Sequence, residues 1–448
     1  MSTIAELFAA RVPRYTSYPT APHFHAGVTA DTYRSWLEAL DPAMPLSLYL
    51  HIPFCDTLCW FCGCHTTVVN RYTPVAAYLD LLLQEIDLVA GIIGSGRKVS
   101  HIHWGGGSPT LLRPDDMRRL GGVLRSRFNI ASDAEFGIEI DPRGFTAELA
   151  ETLAEIGVTR ASIGVQDFDE RVQRAINRIQ TMETTAAAVD LLRQAGINSL
   201  NLDLIYGLPY QTVEGLDRTI DEALTLRPDR LAIFGYAHVP HFKKHQALIP
   251  ETALPGIEAR FAQAEAARAK LCARGYVAVG IDHFAQPEDA MAVAVRERRL
   301  ARNFQGYTTD NATALLGFGA SSIGSLPQGY VQNHSDVPTW RAAISSGRLP
   351  VARGVVLSND DRARRAVIER LMCDLRVDLD AIAARCGLAP AAFSDALRAL
   401  DGLRSLGAVT VDGGTIVIEE VWRATARLAC AAFDSYLDNG VGRHAVAI

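Results

Sequence analysis

No apolar run in this chain of 448 residues approaches membrane-spanning length, since charges interrupt even "YLDLLLQEIDLVAGII". The opening "MSTIAELFAARVPRY" lacks the basic start, apolar block and small-residue cleavage site of a secretory leader. Positive charge is not in surplus either: 44 Lys and Arg face 50 Asp and Glu, a formal charge of −6. General affinity for nucleic acid or membrane is therefore not expected, and an anionic substrate would need a local basic pocket. Repeats and low-complexity tracts are absent. Eight cysteines are too few for a disulfide framework at this length. A monomeric cytoplasmic protein, with neither a membrane nor a nucleic acid as partner, is the expectation.

What is present is alternation. From residue 46 to about 240, β-rich runs ("LSLYLHI", "VSHIHW", "EFGIEID", "RASIGVQ", "SLNLDLIYG", "RLAIFGYA") alternate with amphipathic helical patterns. The helices are predicted at 74–93, 114–127, 146–156, 182–195 and 212–226, with Pro74 and Pro114 at favourable first-turn positions. Strand-helix repetition forces parallel pairing with right-handed crossovers. Six units are too few to close a barrel of eight. The predicted fold is thus α/β, a partial (β/α)6 barrel with a smaller, mainly helical C-terminal domain. Its predicted segments are an N-terminal cover (1–45), the barrel (46–240), an elaboration of it (241–356) and a winged-helix-like domain (357–448). The last contains "VTVDGGTIVI", read as a hairpin, and "PAAFSDALRALDGLR", a recognition-helix candidate too weakly basic for DNA. A lid is the preferred reading. Polar residues fall at the ends of the predicted strands, where such folds gather their chemistry: Cys55, "GGGSP", Glu139 with Asp141, Gln166, Asp203 and "YAH".

Half of the cysteines stand in "SLYLHIPFCDTLCWFCGCH" (47–65): Cys55, Cys59, Cys62 and Cys64. Inert core thiols rarely cluster beside Pro, Gly and Asp. Structural zinc uses two separated pairs, and only one crowded group is present. A redox dithiol would leave the first and last thiols without a role. An iron–sulfur cluster accounts for the C-x3-C-x2-C spacing, with three cysteines on three irons and a fourth iron open to an outside ligand.

"CDTLCWFC" resembles the radical S-adenosylmethionine enzymes, and "WGGGSPT" (104–110) resembles their glycine-rich motif. The likeness sharpens to one family, the oxygen-independent coproporphyrinogen III oxidases, and runs from "PRYTSYPTA" (13–21) to the C-terminal helix. "IEIDPR", "GVQDF", "NRIQ", "NLDLIYGLP", "GYAHVP", "DHFAQP" and "RNFQGYTT" are similar to its landmarks. His65 and Ser108 depart from the residues commoner there, Asn and Thr.

The resemblance implies a [4Fe–4S] cluster on Cys55, Cys59 and Cys62, and one or two molecules of S-adenosylmethionine. Cys64 fits the family's C-x-C ending but is not an expected ligand; whether it shields the cluster or has no chemistry stays open. Tyr49, Phe61, Gly106, Gly107, Ser108, Glu139, Gln166, Arg178, Asp203, Ala237 and Ile323 are the implied cofactor contacts, with Gln166, Arg178 and Asp203 assignable to a second molecule. Arg178 alone would read as a solvated helix charge. The implied reaction turns two propionates of a tetrapyrrole, on rings A and B, into vinyl groups without oxygen. Its electrons come through a donor protein such as a flavodoxin or ferredoxin. Arg14 and Arg302 are the candidates for gripping substrate carboxylates, because guanidinium forks match them; His238 and His283 could pack or donate near the tetrapyrrole, although lone histidines are more often structural. No individual catalytic residue is assigned. The rival readings are a haem-trafficking relative that binds haem without this reaction and a zinc-stapled DNA-binding regulator. The first generally lacks the C-x-C ending and the "PRYTSYP" segment found here.

Overall fold

A computed structural model describes residues 10–437, so the outer ends of the predicted N-terminal cover and C-terminal domain lie outside it. Six strands alternate with helices: β1 (Leu46–Ile52), β2 (Arg97–Gly106), β3 (Phe128–Ile140), β4 (Arg160–Gln166), β5 (Ser199–Tyr206) and β6 (Arg230–Gly235). Between them run α1 (Thr73–Ile93), α2 (Pro114–Arg127), α3 (Ala147–Glu155), α4 (Met182–Gln194) and α5 (Val213–Thr225). Threonines cap α3, α4 and α5: Thr146, Thr181 and Thr212 each accept from a first-turn N–H. β1 to β6 pair in parallel in sequence order. Nearly every residue of β1 and β4 is buried, as strands covered on both faces require.

The sheet continues past both edges of this unit. β7 (Val277–Val279) and β8 (His283–Ala285) add antiparallel beyond β6. On the other side β9 (Ala314–Phe318) pairs parallel with β1, followed by antiparallel β10 (Ile323–Leu326), β11 (Gly329–Asn333) and β12 (Val351–Val356). The result is a 12-stranded sheet. The six parallel strands expected from the sequence thus gain a seventh, β9, from a span predicted only to decorate the barrel. Five apolar residues between irregular segments carry too little periodicity to reveal it.

The C-terminal region packs a helix (Asn359–Asp374) against a three-stranded sheet in which Val409–Asp412 and Thr415–Ile418 form the predicted hairpin. The candidate recognition helix is instead three short turns, Pro390–Phe393, Ser394–Ala399 and Asp401–Ser405. Tyr15 and Tyr18 lie in this region's core, and Arg427 Nε donates to the Pro13 carbonyl at 3.0 Å. No helix among the described residues is long and apolar enough to cross a membrane.

Glu85 of α1 fastens the β9 edge to the unit. Its carboxyl accepts from Gly319 N (2.8 Å), Asn333 Nδ2 (2.6 Å) and Trp340 Nε1 (3.1 Å). Burial outweighs these donors and pushes its pKa from 4.5 to about 7. The folded chain keeps a proton that the unfolded chain releases, a contribution complete below pH 4.5 and lost as pH rises through about 7. Glu85→Gln removes that dependence. The stability of the unmodified protein relative to the variant should fall by about 3 kcal/mol across this window, read by denaturant titration at a series of pH values.

Candidate active site: a cysteine loop at the strand ends

β1 runs into Pro53, and Phe54–Cys55 pairs in parallel with Thr67–Val68, closing residues 56–66 into a loop. Thr67 N donates to Pro53 O (2.7 Å) and Val69 N to Cys55 O (3.0 Å), fixing the loop's base. The rest is held from outside by the segments that follow β4 and β6. Asn177 Nδ2 donates to Leu58 O (2.9 Å), and Trp60 N donates to Ile176 O (2.9 Å). Gln246 Nε2 donates to Phe61 O (2.9 Å), His245 Nε2 to Cys62 O (2.8 Å) and Lys243 Nζ to Cys64 O (2.7 Å). All eight cysteines of the chain are free thiols.

Cys55, Cys59 and Cys62 share this loop. Cys59 is buried, with Arg178 Nη1 at 3.6 Å and Arg143 Nη2 at 3.7 Å from its sulfur. The Cys64 thiol donates toward Cys62, which lowers the Cys62 pKa to about 6 and raises that of Cys64. No three His, Cys, Asp or Glu side chains among the described residues converge as a single metal ion requires. A cubane makes a different demand, because each thiolate takes its own iron. Thiols on one braced loop, with guanidinium beside one of them, are a donor set that fits such a group.

The glycine turn at the end of β2 is packed against this base. Gly107 N donates to Ile52 O (2.8 Å) and Ser108 N to Phe54 O (2.7 Å). A Cβ on Gly107 would lie 2.5 Å from Phe54 O, and one on Gly106, at φ +115°, 2.6 Å from His51 Cε1. The turn therefore needs glycine for the chain's own close approach, a reason additional to the expected approach of a ligand.

Glu139 accepts from Gly106 N (2.9 Å) and His103 Nε2 (3.4 Å). Burial would raise its pKa, but His103 and the Gly106 N–H overcome this and hold it below the usual carboxylate range. Tyr49 stacks on His103 at 6.0 Å and its hydroxyl meets His51 Nδ1 at 3.0 Å. The other His51 nitrogen donates to His65 O (3.2 Å), so Nδ1 is the acceptor and Tyr49 donates. Asp203 accepts from Ser162 Oγ and Asn201 Nδ2, both at 2.7 Å, while burial raises its pKa. Gln166 ends β4 at φ +70°, in the left-handed region few non-glycine residues adopt.

Arg178 departs from the solvated charge its helical context suggested. It is buried and donates to Gly164 O (2.7 Å), Asp141 Oδ2 (3.0 Å) and Gln180 Oε1 (3.1 Å). Phe61 and Trp60 pack against a buried cluster that includes Ile205, Tyr236 and Ile249. Ala237 is half-buried just after β6. Ile323 opens β10, its backbone against Gly317 of β9, which pairs with Tyr49. Those residues gather around the strand ends. Arg14 and Arg302 do not join them: they meet each other, Arg302 Nη2 donating to Arg14 O at 3.1 Å, at a separate cavity of ≈170 Å³. Arg260 and Arg427 line it too.

His51, His103, Ser162, Asn201 and Arg143 belong to the site without having been singled out. Strand alternation was the available signal, since Tyr49 with His51 and Asn201 with Asp203 are i, i+2 neighbours on one face. Gly106→Ala should destabilise the protein by about 1–3 kcal/mol, as His51 and the Glu139 anchor are displaced. Gly122→Ala in α2, with nothing within 4 Å, should leave stability unchanged or slightly raised. Denaturant titration compares them.

Residues 49–223 match the Radical SAM superfamily and residues 357–420 the HemN C-terminal domain. The chain is 51% identical to the oxygen-independent coproporphyrinogen III oxidase of Bradyrhizobium diazoefficiens, over 98% of this chain and 97% of that one. It is 48% identical to the anaerobic coproporphyrinogen III oxidase 1 of Cereibacter sphaeroides, over 96% and 95%. Its structure superposes on the coproporphyrinogen III oxidase (HemN) of Escherichia coli with a TM-score of 0.91 and 40% identity, covering 96% of this chain and 100% of that one. Membership of the radical SAM superfamily implies a [4Fe–4S] cluster and S-adenosylmethionine. The chain belongs to the oxygen-independent coproporphyrinogen III oxidases, a family of radical S-adenosylmethionine enzymes.

Proposed function

We propose that this protein oxidatively decarboxylates the ring A and ring B propionates of coproporphyrinogen III to vinyl groups, giving protoporphyrinogen IX without oxygen. The observation that carries this reading is near-complete alignment, at 51% identity, with a relative named for that substrate. It favours the enzyme over a haem-trafficking protein. The geometry supports it because one stretch of chain reaches both features: Gly235 and Tyr236 line the arginine cavity, and Lys243, His245 and Gln246 hold the thiol loop.

Cys55, Cys59 and Cys62 would hold the cluster, and Arg143 and Arg178 offset thiolate charge at Cys59. Cluster and S-adenosylmethionine, when bound, supply the radical that abstracts hydrogen from a propionate β-carbon. Tyr49, Gly106, Gly107, Ser108 and Glu139 would orient the methionine and ribose ends of the cofactor. Phe61, Ala237 and Ile323 would flank its adenine. Arg178 already serves Asp141, Gly164 and Gln180, so it positions the loop; Gln166 and Asp203 are left for a second cofactor molecule.

The arginine cavity suits a carboxylate. Six arginines (Arg14, Arg260, Arg268, Arg302, Arg423 and Arg427) line it against two carboxylates, Asp282 and Glu265, and Glu265 is paired with Arg268. Burial first, then Arg14, pushes the Arg427 pKa down to about 10, the mark of crowded positive charge. Arg302 Nη1 is buried without a hydrogen-bond partner. At ≈170 Å³ the cavity admits a propionate arm and not a macrocycle. A monomer in a reducing cytoplasm, where eight thiols stay free, completes the proposal, with a flavodoxin- or ferredoxin-type donor supplying electrons.

Anaerobically reconstituted protein given reductant and S-adenosylmethionine should convert coproporphyrinogen III to protoporphyrinogen IX; haem binding without conversion would overturn the reading. Alanine at Cys55, Cys59 or Cys62 should remove the brown chromophore, whereas Cys64→Ala should retain it. Arg302→Ala should raise KM for the tetrapyrrole by about 10–100-fold, the loss expected for a charge-assisted hydrogen bond, with cofactor affinity unchanged.

A further inference from the structure

The outer side of the cysteine loop forms a second surface, away from the cofactor and the arginine cavity. A groove of ≈960 Å³ runs between the residues after Cys62, the start of α1, the 242–245 segment and the helix Val337–Ser345. Cys64 lines it, whereas Tyr49, Glu139 and Asp203, which face the barrel interior, do not. We propose that this groove is the docking site for a small acidic flavoprotein electron carrier of the flavodoxin type. The proposal rests on the reading that the loop holds a cluster needing one-electron reduction.

Charge is the first argument. The chain carries −6 overall, yet the groove sets Arg71, Lys243, Lys244 and Arg341 against a single carboxylate, Asp336. Arg71, Lys244 and Arg341 are exposed, and among the described residues none of their three side chains makes a hydrogen bond or ion pair. Positive charge left uncommitted beside a redox centre, on an acidic protein, is complementary to an acidic carrier and steers its encounter.

The second argument is the apolar floor. Phe242 is 62% exposed and Val68 41%, both in this groove. Aromatic and aliphatic anchors inside a charged rim are the anatomy of a protein interface. The exposed edge of a bound flavin is planar and apolar, and it fits such a floor; the carrier's surrounding carboxylates then meet the rim.

The third is connection. Lys243 Nζ and His245 Nε2 donate to the carbonyls of Cys64 (2.7 Å) and Cys62 (2.8 Å), so the groove wall is bonded directly to the loop backbone. Docking here brings the flavin close while cofactor and substrate sites stay open. One electron leaves the anionic flavin hydroquinone, which becomes the neutral semiquinone with no proton released. The cluster gains that electron, going from 2+ to 1+, and no bond forms between the proteins.

The test uses full-length reconstituted protein carrying Lys244→Glu with Arg341→Glu, and separately Phe242→Ala. Calorimetry with purified flavodoxin reads affinity at two salt concentrations. 5′-Deoxyadenosine formation is driven in parallel by flavodoxin with its reductase or by dithionite. The charge-reversed variant should bind flavodoxin at least about tenfold more weakly with a shallower salt dependence, and Phe242→Ala should also weaken binding. Cluster absorbance and the dithionite-driven rate should be unchanged. Unaltered flavodoxin affinity in both variants would overturn the proposal, as would a groove that binds ferredoxin alone. A missing chromophore in the unmodified protein would sink the cluster reading instead, and the affinity comparison would still decide the docking site.

Discussion

The interaction on which the site depends is the set of hydrogen bonds that grips the cysteine loop from outside. An eleven-residue excursion (56–66) would by itself be free to collapse and pair its thiols. Donors from Asn177, Lys243, His245 and Gln246 occupy its carbonyls at Leu58, Cys64, Cys62 and Phe61. Those donors come from the segments after β4 and β6, so the loop's shape is written into strands that begin more than a hundred residues downstream. The sheet thereby fixes where the thiols stand before any metal arrives, which lowers the ordering cost of binding it.

Charge is partitioned with the same economy. Around the loop, Asp141 bridges Arg143 and Arg178, and both guanidiniums stay within reach of Cys59. At the second cavity positive charge is in larger excess, six arginines against two carboxylates. An acidic protein can thus bind a polycarboxylate without general affinity for anions. The N-terminal segment belongs to this design, since Arg14 bonds Gly235 at the end of β6 and Arg427 holds Pro13. The arginine cavity is therefore tied to both the N-terminal segment and the C-terminal region.

Much of this was legible in the sequence. Parallel alternation, the cysteine spacing and the polar strand ends each have a local cause, in periodicity, ligand reach and topology. β9 was not legible, because a five-residue apolar strand signals little until β1 offers it an edge. Arg178 taken alone reads as a solvated charge for a similar reason: only the fold brings Asp141 and Gly164 to it. Arg260 and Arg427 sit on ordinary-looking helical stretches, and nothing local marks them as neighbours of Arg14. Glu85 shows the converse, an acidic residue in an apolar helix whose partners lie 234 to 255 residues further along the chain.

The reading turns on one iron that the three thiols leave uncoordinated. Electron paramagnetic resonance of the reduced, anaerobically reconstituted protein, recorded with and without S-adenosylmethionine, examines that iron directly. A marked change in g-values on adding the cofactor is expected, because the sulfonium compound's amino and carboxylate groups enter the open coordination site. Spectra that superimpose, from a cluster already closed by a fourth protein ligand, would contradict it.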